Sequence, residues 1–211
     1  MSPLQTRPSP GRQIVLVGFP AHDGAGGPVP RALSAALAQE GFARADLVVY
    51  RSLDSPQCQG YLLPAPDRRS VTDEAHWRLR EALAAGLPSA DVARLVALME
   101  IEGASVSAVP THHYVVETDV VETAEADLND WYDQEHMPGL AAVEGTVRAA
   151  RYRNLDGGRR YHACYELASR ETLGSPAWLR VRATPWSARV RPMFTNTRRT
   201  MFRSATPRGA N

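Results

Sequence analysis

The sequence predicts an α+β fold built from two tandem β-α-β-β-α-β units in one chain, packed sheet to sheet. Three observations predict it. First, one line is written twice: Tyr50-Arg51-Ser52-Leu53-Asp54 returns as Tyr152-Arg153-Asn154-Leu155-Asp156, 102 positions later in a chain of 211 residues. Second, the flanks match in the same order at similar offsets, with Glu40-Gly41 facing Glu144-Gly145 and Trp77 facing Trp178. Ordered matches at one long offset are the sequence signature of an internal repeat. Third, the two halves carry the same succession of strand-like and helix-like patterns.

In the first half, QIVLVGF reads as a strand and PRALSAALAQE as a helix with Pro30 at its start. ADLVVYRSL and GYLLP follow as strands, then TDEAHWRLREALAAG as a helix and VARLVALMEIE as a strand. In the second half, HYVVETDVV is β-branched and strand-like. TAEADLNDWYDQEHM is predicted to be one helix, with Thr123 as N-cap, acids in the first turns and Pro138 ending the run. TVRAARYRNL and RRYHACYELA are strands joined around Asp156-Gly157-Gly158, a hairpin signal. ETLGSPAWLRVRA is a shorter helix and PMFTNTRRTMF the last strand. Each half is therefore a ferredoxin-like, split β-α-β unit. Its helices cover one sheet face, and the other face needs a partner that the second copy supplies. The expected boundaries are a tail at 1–11, a first repeat at 12–108, a second at 109–204 and a tail at 205–211.

Composition narrows the function classes. Hydrophobic residues make up 44%, enough for a sizeable core, and the net charge of +1 points to neither a nucleic-acid nor a membrane partner. All 24 cationic side chains are arginines, so lysine Schiff bases and lysine general bases are excluded. Cys58 and Cys164 have no CxxC spacing. No apolar run reaches bilayer length and the start lacks an apolar leader segment, so a reducing, cytoplasmic setting is expected. The loop HDGAGGPVPRA lacks both nucleotide-binding glycine spacings. The Arg/Ala/Pro-rich, lysine-free composition suggests a GC-rich bacterial genome.

The second half resembles a known family. NDWYDQEHMPGLAAVEGTVRAARYR, YHACYELAS, SPAW and TPWSARV are similar to the EthD-like members of the dimeric α/β-barrel superfamily, over roughly residues 111–203. The first half, residues 12–105, matches only in outline and lacks the WYDxEHxP segment. The resemblance implies two ferredoxin-like units packed sheet to sheet, here within one chain, with substrate pockets between the sheet and the helices of a unit. It also implies a broad set of activities: polyketide cyclases, cofactor-free monooxygenases, dehydratases, isomerases, decarboxylases and haem enzymes, many acting on aromatic or polyketide-like molecules. Fold alone does not choose among them.

The most chemical stretch is LNDWYDQEHMPG, residues 128–139. At helical spacing Leu128, Tyr132 and His136 share a face. That face can wall an organic ligand and exchange a proton. His136 is the expected acid or base, Tyr132 a hydrogen-bond donor to a carbonyl or phenolate, and Asp133 a residue that could orient His136. Trp131 and Asn129 stand beside them as substrate-binding candidates. The bland alternative makes His136 a helix-end cation and the aromatics core. His113 and His162, at the starts of two strands read as parallel, are further substrate-binding candidates; with His136 they would make a three-histidine metal site, which the reading sets aside. Trp186 is placed on a pocket-rim loop. Residues 117–144 hold nine acids and no arginine, whereas residues 146–211 hold fourteen arginines and three acids, so Arg151 or Arg148 is a candidate to steer an acidic substrate. His22 and Asp23 are weak candidates for a second site. No cofactor is expected: the expected partner is a small organic substrate, with a homodimer left open.

Two readings follow. The first is an enzyme acting on an aromatic or polyketide-like substrate, by histidine-assisted proton transfer of the cyclase, dehydratase or isomerase type or by cofactor-free oxygenation. The second is a ligand-binding or stress-type barrel without chemistry. Only the second half is expected to hold a working pocket, because the first half offers Leu33, Ala36 and Leu37 where the second offers Trp131, Tyr132 and His136.

Overall fold

The computed structural model describes residues 11–21, 29–63 and 72–205. Most of both expected tails, and His22 with Asp23, lie outside the described residues. The first half runs β1 (Gln13–Pro20), α1 (Arg31–Gln39), β2 (Leu47–Ser52), β3 (Gln57–Leu62), α2 (Asp73–Gly86) and β4 (Asp91–Glu102). The second runs β5 (His112–Val120), α3 (Glu125–Trp131), α4 (Met137–Ala141), β6 (Thr146–Asn154), β7 (Tyr161–Leu167), α5 (Pro176–Arg182), α6 (Pro185–Val190) and β8 (Phe194–Ser204). Where the first half has one helix the second has a pair, so both follow strand, helical segment, two strands, helical segment, strand.

The eight strands close into one antiparallel barrel in the order β1-β3-β2-β8-β5-β7-β6-β4. Each half forms four consecutive strands of the ring. The joins between halves are β4 with β6, from Leu95 opposite Asn154 to Glu102 opposite Arg148, and β2 with β8, from Tyr50 opposite Ser204 to Ser52 opposite Phe202. The twice-written line occupies the same place in both halves. Tyr50 faces Gln59 in the β2–β3 hairpin, and Tyr152 faces His162 in the β6–β7 hairpin. The matched glycines agree too: Gly41 and Gly145 both have positive φ, +75° and +91°, after the first helical segment of each half. That backbone region favours glycine, and a side chain at Gly145 would also strike Thr172.

β1 and β2 read as nearly continuous apolar runs because both their faces are buried, whereas β8 is polar and largely exposed. On β1, Val15, Val17 and Phe19 pack under α1 and α2, while Ile14 and Leu16 point into the barrel lumen. In the second half, Tyr114 and Val116 of β5 face the helices and Val115 faces the lumen. The lumen core draws on both halves, with Tyr50, Tyr61 and Leu95 meeting Tyr152, Cys164 and Phe202. Burying each such side chain contributes about 1.5–3 kcal/mol, so the lumen welds the halves together. Thr72 caps α2, accepting from the Ala75 N–H at 3.1 Å. The matched tryptophans part company here: Trp77 on α2 is 56% exposed, Trp178 on α5 only 1%. Among the described residues no helix is long and apolar enough to cross a membrane.

Two sequence expectations about elements are corrected. The segment at 123–137 is not one helix ending at Pro138, and Thr123 is not its N-cap. A 3-10 turn at Glu122–Ala124 leads into α3, which passes through a π-helical turn, Tyr132–His136, into α4. Pro138 sits in the first turn of α4, where a missing N–H costs least. The wider turn, in which the Met137 N–H donates to the Tyr132 carbonyl, lets the chain absorb the proline and continue to Ala141. The strands of His113 and His162 are antiparallel rather than parallel.

Candidate active site

The candidate site lies between the outer face of the second half's sheet and its helices. The α3–π–α4 segment supplies Trp131, Tyr132, His136 and Leu140; the sheet supplies Tyr114, Val116, Tyr165, Phe194 and Arg199; Trp178 and Arg182 come from α5 and Arg191 from the turn after α6. Together they line a cavity of about 30 Å³, room for a water or two.

His136 is 7% exposed, and its ring stacks on Trp131 with centroids 4.0 Å apart and meets Tyr132 edge-on at 5.5 Å. Its Nδ1 is sealed from solvent with no hydrogen-bond partner. Burial, reinforced by the positive charges of Arg182 and Arg191, pushes its pKa from 6.5 down to about 3. Both effects disfavour the charged imidazole, and the chain continues from His136 into α4 instead of ending there; Trp131 and Tyr132 do belong to the apolar core of this half. Trp131 is held by its indole N–H, which donates to Glu135 at 3.1 Å and to Ser187 at 3.3 Å; the Thr184 hydroxyl donates to the same Glu135 oxygen at 2.6 Å. Tyr132 is buried, with its pKa pushed up to about 12 by desolvation. Its hydroxyl makes no hydrogen bond among the described residues. The Arg151 guanidinium lies 4.4 Å from its ring centre.

The other sequence candidates separate from this cluster. Asp133 does not orient His136; it is half-exposed and lies 3.6 Å from Arg151. Arg151 does not face the cavity. It is 1% exposed, sandwiched between the rings of Tyr132 and Tyr161, and donates to Asn129 Oδ1 at 2.7 Å. Arg151 and Asn129 therefore support the back of Tyr132 rather than touch a ligand in the cavity. Arg148 points into the lumen, 2.6 Å from Glu100 and 3.7 Å from Glu166. Trp186 is on α6, not a rim loop, and its N–H donates to Asp127 at 2.8 Å. His113 stands on the lumen side, stacked on Tyr50 at 4.1 Å. His162 is opposite Glu117, while His113 is opposite Glu166. Four residues of antiparallel strand, roughly 13 Å, separate the two, and the sheet itself separates both from His136. The three histidines form no metal site.

Sequence reasoning missed Tyr114, Tyr165, Trp178 and, above all, Arg182, Arg191 and Arg199. The arginine-rich, acid-poor stretch from 146 onward was their one visible signal. None of the three arginines has an ion-pair or hydrogen-bond partner among the described residues, and Arg182 and Arg199 lower the pKa of Arg191 by repulsion on top of desolvation.

No family model and no curated protein matches the chain. Solved structures do. A proposed monooxygenase of Fusobacterium nucleatum matches with a TM-score of 0.59 at 8% identity, covering 97% of both chains. An anthrone oxidase-like protein matches with a TM-score of 0.56 at 16% identity, over 96% of this chain and 95% of that one. A ferredoxin-fold protein of Listeria monocytogenes related to antibiotic biosynthesis monooxygenases gives 0.53 at 6% identity, over 93% and 96%. At such identities the likeness shows the fold, an α+β ferredoxin-type barrel shared along nearly the whole length.

Proposed function

We propose that the chain is an oxygenase of aromatic or polyketide-like substrates, built as a tandem, EthD-like α/β-barrel whose first repeat has lost its site. The observation that carries this reading is a neutral, desolvated histidine stacked on tryptophan in an aromatic cavity. A base must start unprotonated, and His136 does. A general acid must start protonated, and at a pKa of about 3 His136 does not. That sense favours proton abstraction over acid-assisted dehydration only as negative charge develops on the substrate beside the ring, since an imidazole of so low a pKa is by itself a weak base.

The chemistry runs as follows. His136 takes a proton from an activated C–H or phenol O–H of the substrate. Tyr132 donates a hydrogen bond to the adjacent oxygen as negative charge develops there. In a dry pocket the imidazolium and the substrate anion stabilise each other more strongly than in water. The delocalised anion gives electrons to O2. A C–O bond forms, the His136 imidazolium returns its proton to the peroxide anion, and the hydroperoxide loses water together with the carbon's second hydrogen, leaving one oxygen in a new carbonyl and the other in the water. The monooxygenase and anthrone oxidase-like names of the structural neighbours support oxygen as the oxidant. His136→Ala tests the reading on 9-anthrone, by O2 uptake and quinone absorbance, with the variant's fold checked by circular dichroism. Turnover that persists in a folded His136→Ala variant, or without O2, overturns it.

One observation favours a second reading. The cavity, at about 30 Å³, accepts a ring system only if Trp178, Phe194 or the arginines move. A barrel that binds a ligand without transforming it would show tryptophan quenching by an aromatic ligand and no O2 uptake.

A further inference from the structure

Several arginines elsewhere among the described residues are answered by acids. Arg78 meets Glu40 and Glu74, Arg94 meets Asp73 and Asp156, Arg148 meets Glu100, and Arg189 meets Asp127. Arg182, Arg191 and Arg199 break that habit at one place. They come from α5, the turn after α6 and β8, so no local helix pattern brings them together, yet all three line the same aromatic cavity. No acid lines it with them. Three like charges at one mouth, Arg182 and Arg191 half-buried and Arg199 exposed, repel one another and leave room for something negative to join them. A guanidinium also matches a carboxylate with two parallel hydrogen bonds.

We propose that the substrate is an aromatic acid, with its carboxylate held by Arg182, Arg191 and Arg199 and its ring system inserted among Trp131, Tyr132 and Trp178. This rests on the reading of the cavity as a substrate site. It keeps the role first considered for Arg151 or Arg148 but moves it to arginines that are free to serve it. Binding the carboxylate also cancels part of the positive field that disfavours a charged His136, so the base would strengthen only once the correct substrate is seated.

Isothermal titration calorimetry with 2-naphthoate and 2-naphthylmethanol tests the proposal on the full chain. Naphthoate is expected to bind roughly tenfold tighter or better, with a preference that shrinks as salt is raised. Arg182→Gln with Arg191→Gln is expected to remove the preference while leaving a folded protein, because it relieves repulsion rather than breaking pairs. Arg153→Gln, on an exposed side chain of β6, is expected to retain it. The proposal is overturned if the alcohol binds as well as the acid, if the preference survives the double substitution, or if sulfate alone displaces naphthoate and the ring adds nothing. Arginine-dependent acid binding, with no O2 uptake on 9-anthrone, would leave the proposal standing and sink the oxygenase reading. His136-dependent turnover of 9-anthrone without acid preference would do the reverse.

Discussion

The two halves place their helices over equivalent sheet faces and fill the space between in opposite ways. Beneath α1 and α2 the first half packs Val17, Phe19, Leu33, Leu37, Leu79 and Leu83 against one another. Beneath α3–α4 and α5 the second half packs Tyr114, Trp131, Tyr132, Tyr165 and Trp178, with His136 on the rim of a cavity and three arginines at its mouth. Those apolar side chains interlock, and the titratable group of α2, the buried His76, turns to Asp156 at 3.4 Å instead, beside a cavity of about 630 Å³ that Asp73, Arg80 and Arg94 also line. Aromatic rings with polar tips are stiff and flat, leave space between them, and carry groups that hold or take protons. On the proposed reading the second half's face serves chemistry; the larger cavity beside α2, at about 630 Å³ against about 30 Å³, counts against treating the first half as structural alone.

The sharpest way to break this contrast is to remove the histidine. His136→Ala is expected to lower kcat by a factor of about 10²–10⁴, or about 3–5 kcal/mol at the transition state, measured as initial O2 uptake under saturating substrate. A matching truncation in the other half, Leu33→Ala, is expected to cost about 2–5 kcal/mol of folding stability in urea titration while the kcat of the folded fraction is unchanged. If Leu33→Ala lowers kcat instead, the first half is part of the site and the division fails.

Acid sharpens the comparison. In the folded chain His136 has its pKa depressed to about 3, against 6.5 when unfolded. Below pH 6.5 the unfolded state binds the proton and the folded state resists it, so this contribution to stability is present above pH 6.5 and is lost as pH falls toward 3. Between pH 7.5 and 4.5 the loss is about 3 kcal/mol. His162 is also buried with a lowered pKa, so its loss has the same sign. It remains in a His136→Leu variant, and the difference between the two denaturation curves isolates His136. Equal acid sensitivity in both proteins would mean that His136 is solvated. Tyr132→Phe should have the smallest effect. It keeps the ring and removes one donor, lowering kcat roughly three- to tenfold, on the order of 1 kcal/mol.

The succession of strands and helical segments and the β6–β7 hairpin were legible because they depend on local patterns: apolar runs, Asp156-Gly157-Gly158, and a line repeated at a fixed offset. Trp131, Tyr132 and His136 were legible because they share one helical segment. What escaped had non-local or non-periodic causes. The π-helical turn adds a residue without altering the 3.6-residue look of the segment, so Pro138 looked like a stop. The lumen side of β5 and β7 differs from their helix side only by odd and even position, so His113 and His162 could not be sorted from His136 without knowing that the strands are antiparallel. Arg182, Arg191 and Arg199 come from three elements, and only the folded chain shows that they meet. Arg151 looked as available as any of them, yet it is locked between two tyrosine rings.

A ring of strands has no ends. In an open sheet the outermost strands carry a row of unanswered N–H and C=O groups that invite another chain to pair with them. Here β2 is stitched to β8 and β4 to β6, so every strand has a neighbour on both sides. Among the described strands, growth by strand addition finds a template only where β8 runs on beyond its three-residue pairing with β2.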